Sequence, residues 1–404
     1  MNLRPLLSAV LLFVLSLLCA SDSSAFFAAG PQSSLIDTES PFLSSETKNA
    51  HLSDRENVDL RGPVSSSTEE NIPSNGTKFV TTEYSRDGRL LTKRMVYPNN
   101  PDFLSTWIYD VDGRLVEIAW ESSDKPMETR EYDELGRLKT VIRNGFVSIH
   151  GDAQVSRTDV HYDEQGHKTT VQHFDPALPP AFSSGYFRWD SIVDSGEDVP
   201  KGGSVTMLYD ENDQPTELQV LGADGHMIRK IVRVYNQNGL VIQEKPNWEN
   251  PASDILARMP AEKRAKLSPE EVKQMYQTWS VLSVGKNPLG TFYTYDDKNR
   301  LTKICERNDM IEKTITITYN DHGDKVEKKT AFADNFNPQG RMDPFVWNGP
   351  PMSERIPDVP DVHYVYKYDS AGNWIERIRT ASNGSKYDVL PSVTHRTLSY
   401  YQPQ

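Results

Sequence analysis

A tyrosine-led turn recurs along this chain of 404 residues and constrains its fold more than any other feature. Most copies continue with Asp or Asn, whose side chain can bond the backbone two residues on and start a turn. Three positions later stands Gly, which accepts positive φ at little steric cost. Asp213 and Asn299 replace the glycine in two copies and tolerate the same conformation. The copies begin at Tyr84, Tyr109, Tyr132, Tyr162, Tyr209, Tyr235, Tyr295, Tyr319 and Tyr368, and the glycines are Gly88, Gly113, Gly136, Gly166, Gly239, Gly323 and Gly372.

The residues around each turn alternate as strand residues do. Val205, Met207 and Tyr209 share one face before a turn, and Ile118 and Trp120 share one face after another. Copies that lie closest together repeat about every 24 residues, which indicates a repeat architecture. The sequence therefore predicts an all-β fold, an antiparallel β-hairpin repeat that forms a meander or a spiral sheet.

Longer intervals interrupt the repeat. Two of them, before Tyr209 and before Tyr368, are about twice the usual length and predict a degenerate copy within each. The segment 223–227, Ala-Asp-Gly-His-Met, fits a further degenerate turn. A helical insertion at about 260–284 is predicted from the start Ser268-Pro-Glu-Glu, which suits a capped first turn. Apolar residues follow it at helical spacing, at Val272, Met275, Tyr276, Trp279 and Leu282.

The first 25 residues predict an export signal. Arg4 precedes an apolar run over 6–18, and small residues around Ala25 suit cleavage. The run is shorter than the roughly 20 residues that span a bilayer. We expect a secreted protein, or one at the periplasm or cell surface, with no transmembrane segment after the signal. Lipidation at Cys19 is the alternative, which Leu18 disfavours because that processing prefers a small residue there.

Residues 26–78 predict a disordered linker rich in Ser, Thr and Pro, because too little apolar surface is available to offset the entropy of ordering the backbone. The repeat domain is then expected over 79–404. Cys305 is the only thiol outside the signal, so no intramolecular disulfide is expected. The net charge of −13 argues against binding to nucleic-acid phosphates.

The segments 109–115 and 132–138 read Tyr-Asp-x-x-Gly-Arg-Leu, which resembles the YD repeat of the Rhs and teneurin group. The other copies match in part, from Tyr84 to Trp374. The resemblance implies β-sheet spirals, in some members closed into a shell around a toxin, and contact with carbohydrate or cell surfaces. This chain would be a short secreted member. The segment 336–344 loosely echoes the family's self-cleavage motif but precedes the last repeat, so self-cleavage is not expected.

Metal and cofactor sites are not predicted. His161, His167 and His173 surround one turn, and the hairpin could bring the first and last of them opposite each other, but the spacing matches no zinc motif. The segments 110–113 and 210–213 resemble pieces of calcium loops without the remaining ligands, so turn formation explains them better.

Catalysis is not predicted either. The sequence has no nucleophile elbow, no phosphate-binding glycine loop and no Cys–His pair. A secreted polysaccharide hydrolase that uses a pair of carboxylates is the enzymatic alternative, because the distance between two carboxylates is a tertiary property. A scaffold component of a toxin or export system is a further alternative.

The leading prediction is a non-catalytic protein that offers a binding surface at the cell envelope, with carbohydrate or an envelope protein as the ligand. Aromatic rings on an open sheet face can stack on sugars, although the motif tyrosines are expected to pack within the scaffold. The tryptophans less tied to the repeat are the candidate binding residues: Trp107, Trp120, Trp189, Trp347 and Trp374.

Overall fold

A computed structural model of the chain describes residues 53–72, 78–98, 102–121, 123–147, 153–174, 189, 192–193, 196, 199–247, 266–273, 289–307, 311–334, 359–382 and 391–402. Apart from a 3-10 turn at Glu56–Val58 and a few helical residues, these segments form strands and turns. The strands are β1 (Val64–Ile72), β2 (Phe79–Tyr84), β3 (Leu90–Val96), β4 (Phe103–Tyr109), β5 (Leu115–Trp120), β6 (Glu128–Tyr132), β7 (Leu138–Val147), β8 (Ala153–Tyr162), β9 (Lys168–Phe174), β10 (Ser204–Tyr209), β11 (Pro215–Leu221), β12 (Met227–Tyr235), β13 (Val241–Asn247), β14 (Gly290–Tyr295), β15 (Leu301–Arg307), β16 (Ile311–Tyr319), β17 (Lys325–Asp334), β18 (Val362–Tyr368), β19 (Trp374–Ala381) and β20 (Ser392–Tyr400).

The 20 strands form one closed antiparallel barrel. Each strand pairs with the next in the chain, and β20 pairs with β1, where Arg396 lies opposite Glu69. The all-β prediction is confirmed, but the open meander or spiral is wrong because the first and last strands bond to each other. Barrels of about 16 to 18 strands already leave an open channel, so opposite walls of this ring are too far apart for their side chains to meet.

Strand β1 corrects the predicted boundary between linker and domain. Its residues lie within the segment 26–78, yet the strand pairs with β2 on one side and with β20 on the other. Its serines and threonines carry little apolar surface, so the two flanking ladders supply the order that composition did not predict. The rest of the predicted linker before residue 53, and the export signal, lie outside the described residues.

The motif turns close the hairpins as the sequence predicts. In the copy at Tyr132, the Asp133 carboxylate accepts the backbone N–H groups of Leu135 at 3.0 Å and Arg137 at 2.8 Å, and the Arg137 Nε at 2.8 Å. Gly136 has φ 77°, and φ lies between 73° and 91° at all seven motif glycines. Asp213 and Asn299 adopt φ 61° in the copies without glycine. Tyr and Asp at these positions are therefore turn and packing residues.

Several hairpins are also joined to the preceding one through their motif tyrosine. The hydroxyl of Tyr132 donates to the backbone oxygen of Leu115 at 2.8 Å, while the guanidinium of Arg114 lies 4.9 Å from the centre of its ring. The same bond to the residue that opens the preceding second strand recurs at Tyr109, Tyr235, Tyr295 and Tyr319, at 2.7 to 2.9 Å. The repeat thus encodes contacts between hairpins as well as the turns.

Residues 53–63, here called the N-terminal strap, join the first and last motif turns. At one end Arg55 donates its backbone N–H to the oxygen of Gly88 at 3.1 Å. At the other end the Arg61 guanidinium donates to the oxygen of Gly372 at 2.8 Å, and its backbone exchanges two bonds with the Asn373 side chain. The repeat before Gly372 has Asp324 where the best copies have Arg. Arg61 of the strap therefore stands beside Gly372, as the motif arginine Arg114 stands beside Gly136 in a full copy.

Alternation gives the barrel wall two faces, and the one that carries the motif tyrosines is called the tyrosine face. Its largest apolar cluster lies on β10–β12, where Val205, Met207, Leu218 and Val220 are buried beneath Trp189. Ile192, Val193, Val199 and Ile231 complete the cluster. Fully burying one such side chain is worth about 1.5–3 kcal/mol, so the segment around Trp189 stabilises this part of the wall.

The long intervals contain insertions between paired strands and add no strand to the ring. Strand β9 bonds directly to β10, and β17 bonds directly to β18. No strand of a degenerate copy therefore stands between them in the sheet, and the segments 175–188 and 335–358, where the sequence predicts such copies, lie outside the described residues. The turn at Gly225, with φ 78°, is real but joins β11 to β12 at the opposite end of the barrel from the motif turns.

The predicted helical insertion is described only over 266–273. There Ser268 and Glu271 form the expected capping box, with Ser268 N to Glu271 Oε2 at 2.7 Å and Glu271 N to Ser268 Oγ at 3.2 Å. The remainder of that insertion lies outside the described residues, and the helical element described from end to end is the 3-10 turn. Among the residues that the structure describes, no helix has the length and apolar character needed to cross a bilayer.

Candidate functional site

The candidate tryptophans occupy different surroundings. Trp189 and Trp374 are buried, so neither ring offers a free face in this structure. Trp107 on β4 and Trp120 on β5 are partly exposed. Trp347 lies outside the described residues.

Trp107 and Trp120 stand together on the tyrosine face of one hairpin. Trp107 lies opposite Ile118, and Trp120 is two residues further along the same strand, so the two indoles are diagonal neighbours. Diagonal positions on an antiparallel pair are about 7–8 Å apart, within reach of aromatic side chains. The ring of Phe103 packs on Trp120, with centroids 4.9 Å apart and an interplanar angle of 40°. This hairpin thus presents a platform of three aromatic rings.

A carboxylate held by two arginines continues the same row. Glu128 on β6 lies opposite Ile118, and Arg143 on β7 lies opposite Glu128. Arg130 Nε donates to Glu128 Oε1 at 2.6 Å, and Arg143 Nε donates to Oε2 at 3.0 Å. Burial raises the pKa of Glu128, but the charges of Arg130 and Arg143 outweigh burial and hold that pKa below its usual value.

Aromatic and charged groups are therefore adjacent on one stretch of wall. The row from Trp107 to Arg143 crosses three strand spacings, about 14 Å in total. Such a surface can stack on a ring-shaped ligand and donate charged hydrogen bonds to it. We call Phe103, Trp107, Trp120, Arg130 and Arg143 the aromatic–arginine patch.

The tyrosine face as a whole carries more basic than acidic side chains, although the chain is acidic overall. The described acidic positions on it are Glu69, Glu128, Glu244, Glu306 and Asp334. The described basic positions are Lys93, Arg130, Arg143, Lys168, Arg229, Arg233, Lys313, Lys325, Lys328, Arg377, Arg379 and Arg396. This surplus of basic over acidic side chains favours anionic ligands on the tyrosine face.

A second aromatic cluster on β18–β20 is packed into the wall. The Arg396 guanidinium lies 3.4 Å from the centre of the Trp374 ring and donates to Glu69 at 2.6 Å. Tyr366 stands 6.3 Å from Trp374 and donates its hydroxyl to the Lys325 oxygen at 2.7 Å. Because Trp374 is buried and Arg396 is already paired, this cluster stabilises the junction between the last strands and β1.

The histidines do not form a metal pair. His161 lies opposite Thr169, and His173 lies opposite Arg157, so the two imidazoles are four residues apart along the hairpin. His167 Nδ1 contacts Asp163 within its turn at 2.8 Å. No group of three metal-ligating side chains occurs in the described parts of the chain.

The segments that resemble calcium loops are turns. Asp110 accepts the backbone N–H groups of Asp112 at 3.0 Å and Arg114 at 2.8 Å, and Asp210 accepts those of Asn212 and Gln214 at 2.9 Å. Cys305 is buried, and burial raises the pKa of its thiol, which keeps it protonated and unreactive at neutral pH.

Sequence reasoning identified Trp107 and Trp120 but missed the two arginines. The pattern Glu-Thr-Arg over 128–130 places Glu128 and Arg130 on one face of a strand, which is a readable signal. Arg143 belongs to the next strand, and its position opposite Glu128 depends on the register of β6 with β7.

No model of a known protein family matches the chain, and no curated protein matches it. Similar solved structures include the crystal structure of TcdB2-TccC3-Cdc42, at 10% identity, covering 74% of this chain and 17% of that chain, with a TM-score of 0.23. A porin-like protein from Bacteroides uniformis ATCC 8492 is 12% identical, covering 84% of this chain and 99% of its own, with a TM-score of 0.24.

The crystal structure of TcdB2-TccC3 is 13% identical, covering 74% of this chain and 15% of that chain, with a TM-score of 0.20. This chain therefore spans only a small part of the two TcdB2-TccC3 chains. TM-scores this low do not establish a common fold.

Proposed function

We propose that this chain is a short exported YD-repeat protein whose barrel wall binds carbohydrate without catalysis. The observation that carries the proposal is the pair Trp107 and Trp120, partly exposed side by side on the tyrosine face. Indole faces stack on the apolar faces of sugar rings, and the neighbouring Arg130 and Arg143 can donate hydrogen bonds to hydroxyl and carboxylate oxygens. An envelope protein remains the alternative ligand.

Assignment to the YD-repeat group rests on the motif and on what its residues do. Tyr, Asp and Gly close each turn, and the motif Arg and Tyr join consecutive hairpins. All defined positions of the motif therefore have structural contacts, which fits a scaffold built by repetition. The apolar run over 6–18 supports export.

A non-catalytic role fits the buried carboxylates of the tyrosine face. A glycosidase needs one carboxylic acid whose pKa is raised so that it can protonate the leaving oxygen. The pKa of Glu128 is shifted the opposite way, and both of its oxygens accept bonds from arginines. Glu244 forms an ion pair with Arg233 at 2.8 Å, and Glu306 forms one with Lys313 at 2.9 Å.

Glycan-array screening followed by titration calorimetry tests the proposal. The double variant Trp107→Ala/Trp120→Ala should lose binding, whereas Ile108→Ala should retain it. Ile108 is 40% exposed on the opposite face of the same strand, so it controls for general changes to the hairpin. The carbohydrate proposal fails if no glycan binds the wild-type protein, or if both variants bind as the wild type does. Capture of an envelope protein that depends on the same tryptophans would support the alternative ligand.

A further inference from the structure

We propose that Arg130 and Arg143 form an oxyanion-binding pair, so that the aromatic–arginine patch selects sugars that carry carboxylate or sulfate groups. This inference rests on the carbohydrate-binding function proposed above and specifies its ligand class.

Both arginines use only Nε to hold Glu128. Within the described residues, the Nη groups of Arg130 and Arg143 have no hydrogen-bond partner. The two side chains are 28% and 29% exposed, whereas the Glu128 side chain between them is only 10% exposed. The buried carboxylate thus orients two guanidinium groups whose outer donors remain accessible.

The local charge also favours an anion. Two guanidinium groups share one carboxylate, so the trio carries one net positive charge. Guanidinium groups stay protonated at all physiological pH values, and their planar forks match the geometry of carboxylate, sulfate and phosphate. Because the Nε bonds already fix both forks, little side-chain entropy is lost when a ligand binds.

Because the two arginines lie next to the tryptophans, we infer that the ligand is a sugar that carries an oxyanion. Glu128 and Arg143 continue the row that begins at Trp107 and Ile118. A ligand that stacks on the indoles therefore places its next ring near the guanidinium groups. A chain of sugars with oxyanions at regular intervals satisfies both parts of the patch, whereas a free phosphate ion would use only the arginines.

Matched polymers test the preference for charged sugars on the wild-type protein, without any mutation. The probes are polygalacturonate, the same polymer with its carboxylates reduced to alcohols, dextran sulfate and unmodified dextran. We expect the full-length wild-type protein to bind each charged polymer at least roughly tenfold more tightly than its neutral counterpart, the loss expected when a charge-assisted bond is removed. Comparing polygalacturonate with dextran sulfate separates carboxylate from sulfate recognition.

Two variants then locate the effect. Arg143→Gln and Arg130→Gln should each reduce that preference, while Arg157→Gln should leave it unchanged. Arg157 pairs with Asp159 on the face of β8 that lies opposite the tyrosine face. Its variant therefore controls for the loss of one positive charge. Arg143→Lys keeps the charge near Glu128 but lacks the fork, so it serves if the glutamine variants fold poorly; it should bind more weakly than the wild type.

The outcomes separate this inference from the function on which it rests. Equal binding of charged and neutral polymers that still requires Trp107 and Trp120 would overturn the oxyanion pair and leave carbohydrate binding intact. An identical loss in Arg157→Gln and Arg143→Gln would show diffuse electrostatic attraction and also overturn it. No binding to any of the four polymers would overturn the oxyanion pair, and the glycan array would then decide separately whether carbohydrate binding stands.

Discussion

Replacing Tyr132 by Phe removes one hydroxyl and leaves the turn, the ring and its cation contact in place. That hydroxyl donates to the backbone oxygen of Leu115 at 2.8 Å and joins one hairpin to the preceding one. Tyr162 is the matched control, because its hydroxyl has no hydrogen bond within the described residues. Its ring still lies under a motif arginine, with the Arg137 guanidinium 4.2 Å from its centre.

The loss of one such hydrogen bond costs about 1 kcal/mol in the free energy of unfolding. The Leu115 oxygen is left partly buried without its donor, which can raise the cost to about 2 kcal/mol. Tyr162→Phe should change the stability by less than about 0.5 kcal/mol. Combining Phe at Tyr132, Tyr235 and Tyr319, which lie at least four strands apart, should cost roughly 3 kcal/mol, because distant sites add.

Urea unfolding followed by circular dichroism measures these differences. With an m-value of about 3 kcal/mol/M, Tyr132→Phe should lower the midpoint by about 0.3–0.6 M, and the triple variant by about 1 M. An unchanged m-value is required for this conversion. Equal midpoints for Tyr132→Phe and Tyr162→Phe would refute the claim that the tyrosine hydroxyls join the hairpins.

Contacts elsewhere in the barrel give three further predictions. Gly290→Ala should destabilise the fold by about 3 kcal/mol or more, because its Cβ would collide with the Glu244 backbone oxygen across β13–β14. Gly225→Ala should cost only about 1–2 kcal/mol, because Gly225 also has a positive φ, 78°, but no atom lies near the position of its Cβ. Similar urea midpoints for the two variants would contradict this difference. Arg61→Met should speed hydrogen exchange in β1 and β20 more than in β4 and β5, and uniform exchange would argue against the strap as the closing element. Burial raises the pKa of Tyr84 to about 12, so its neutral form stabilises the fold fully below the unfolded value of about 10, and stability should fall as the pH rises from about 10 towards 12. The loss of stability between pH 10 and 12 should be smaller in Tyr84→Phe than in the wild type, and equal losses would contradict that sign.

The candidate site was only partly predictable from the sequence. Alternation places Trp107 on the same face as Tyr109 and places Ile118 with Trp120, because side chains of a strand have a period of two. Their meeting across the hairpin follows from the turn, which sets the register. The turn after Tyr132 places Arg143 opposite Glu128 in the same way. Glu128 lies opposite Ile118 only because β5 pairs with β6 of the next hairpin, and Trp189 is buried only because its segment returns to β10–β12. Both depend on contacts that no local pattern specifies.

The sequence by itself determined the hairpin unit, its turn and its two faces, because these follow from bonds among residues a few positions apart. Asp133 binds backbone groups two and four residues on, and Gly136 supplies the positive φ that the same turn requires. Only the tertiary structure decided that the hairpins close into a barrel. Closure depends on the pairing of β1 with β20 and on Arg61 reaching Gly372, contacts between opposite ends of the domain. Such contacts form only when every intervening hairpin has the right twist and register, so their free energy belongs to the ring as a whole and to no single repeat.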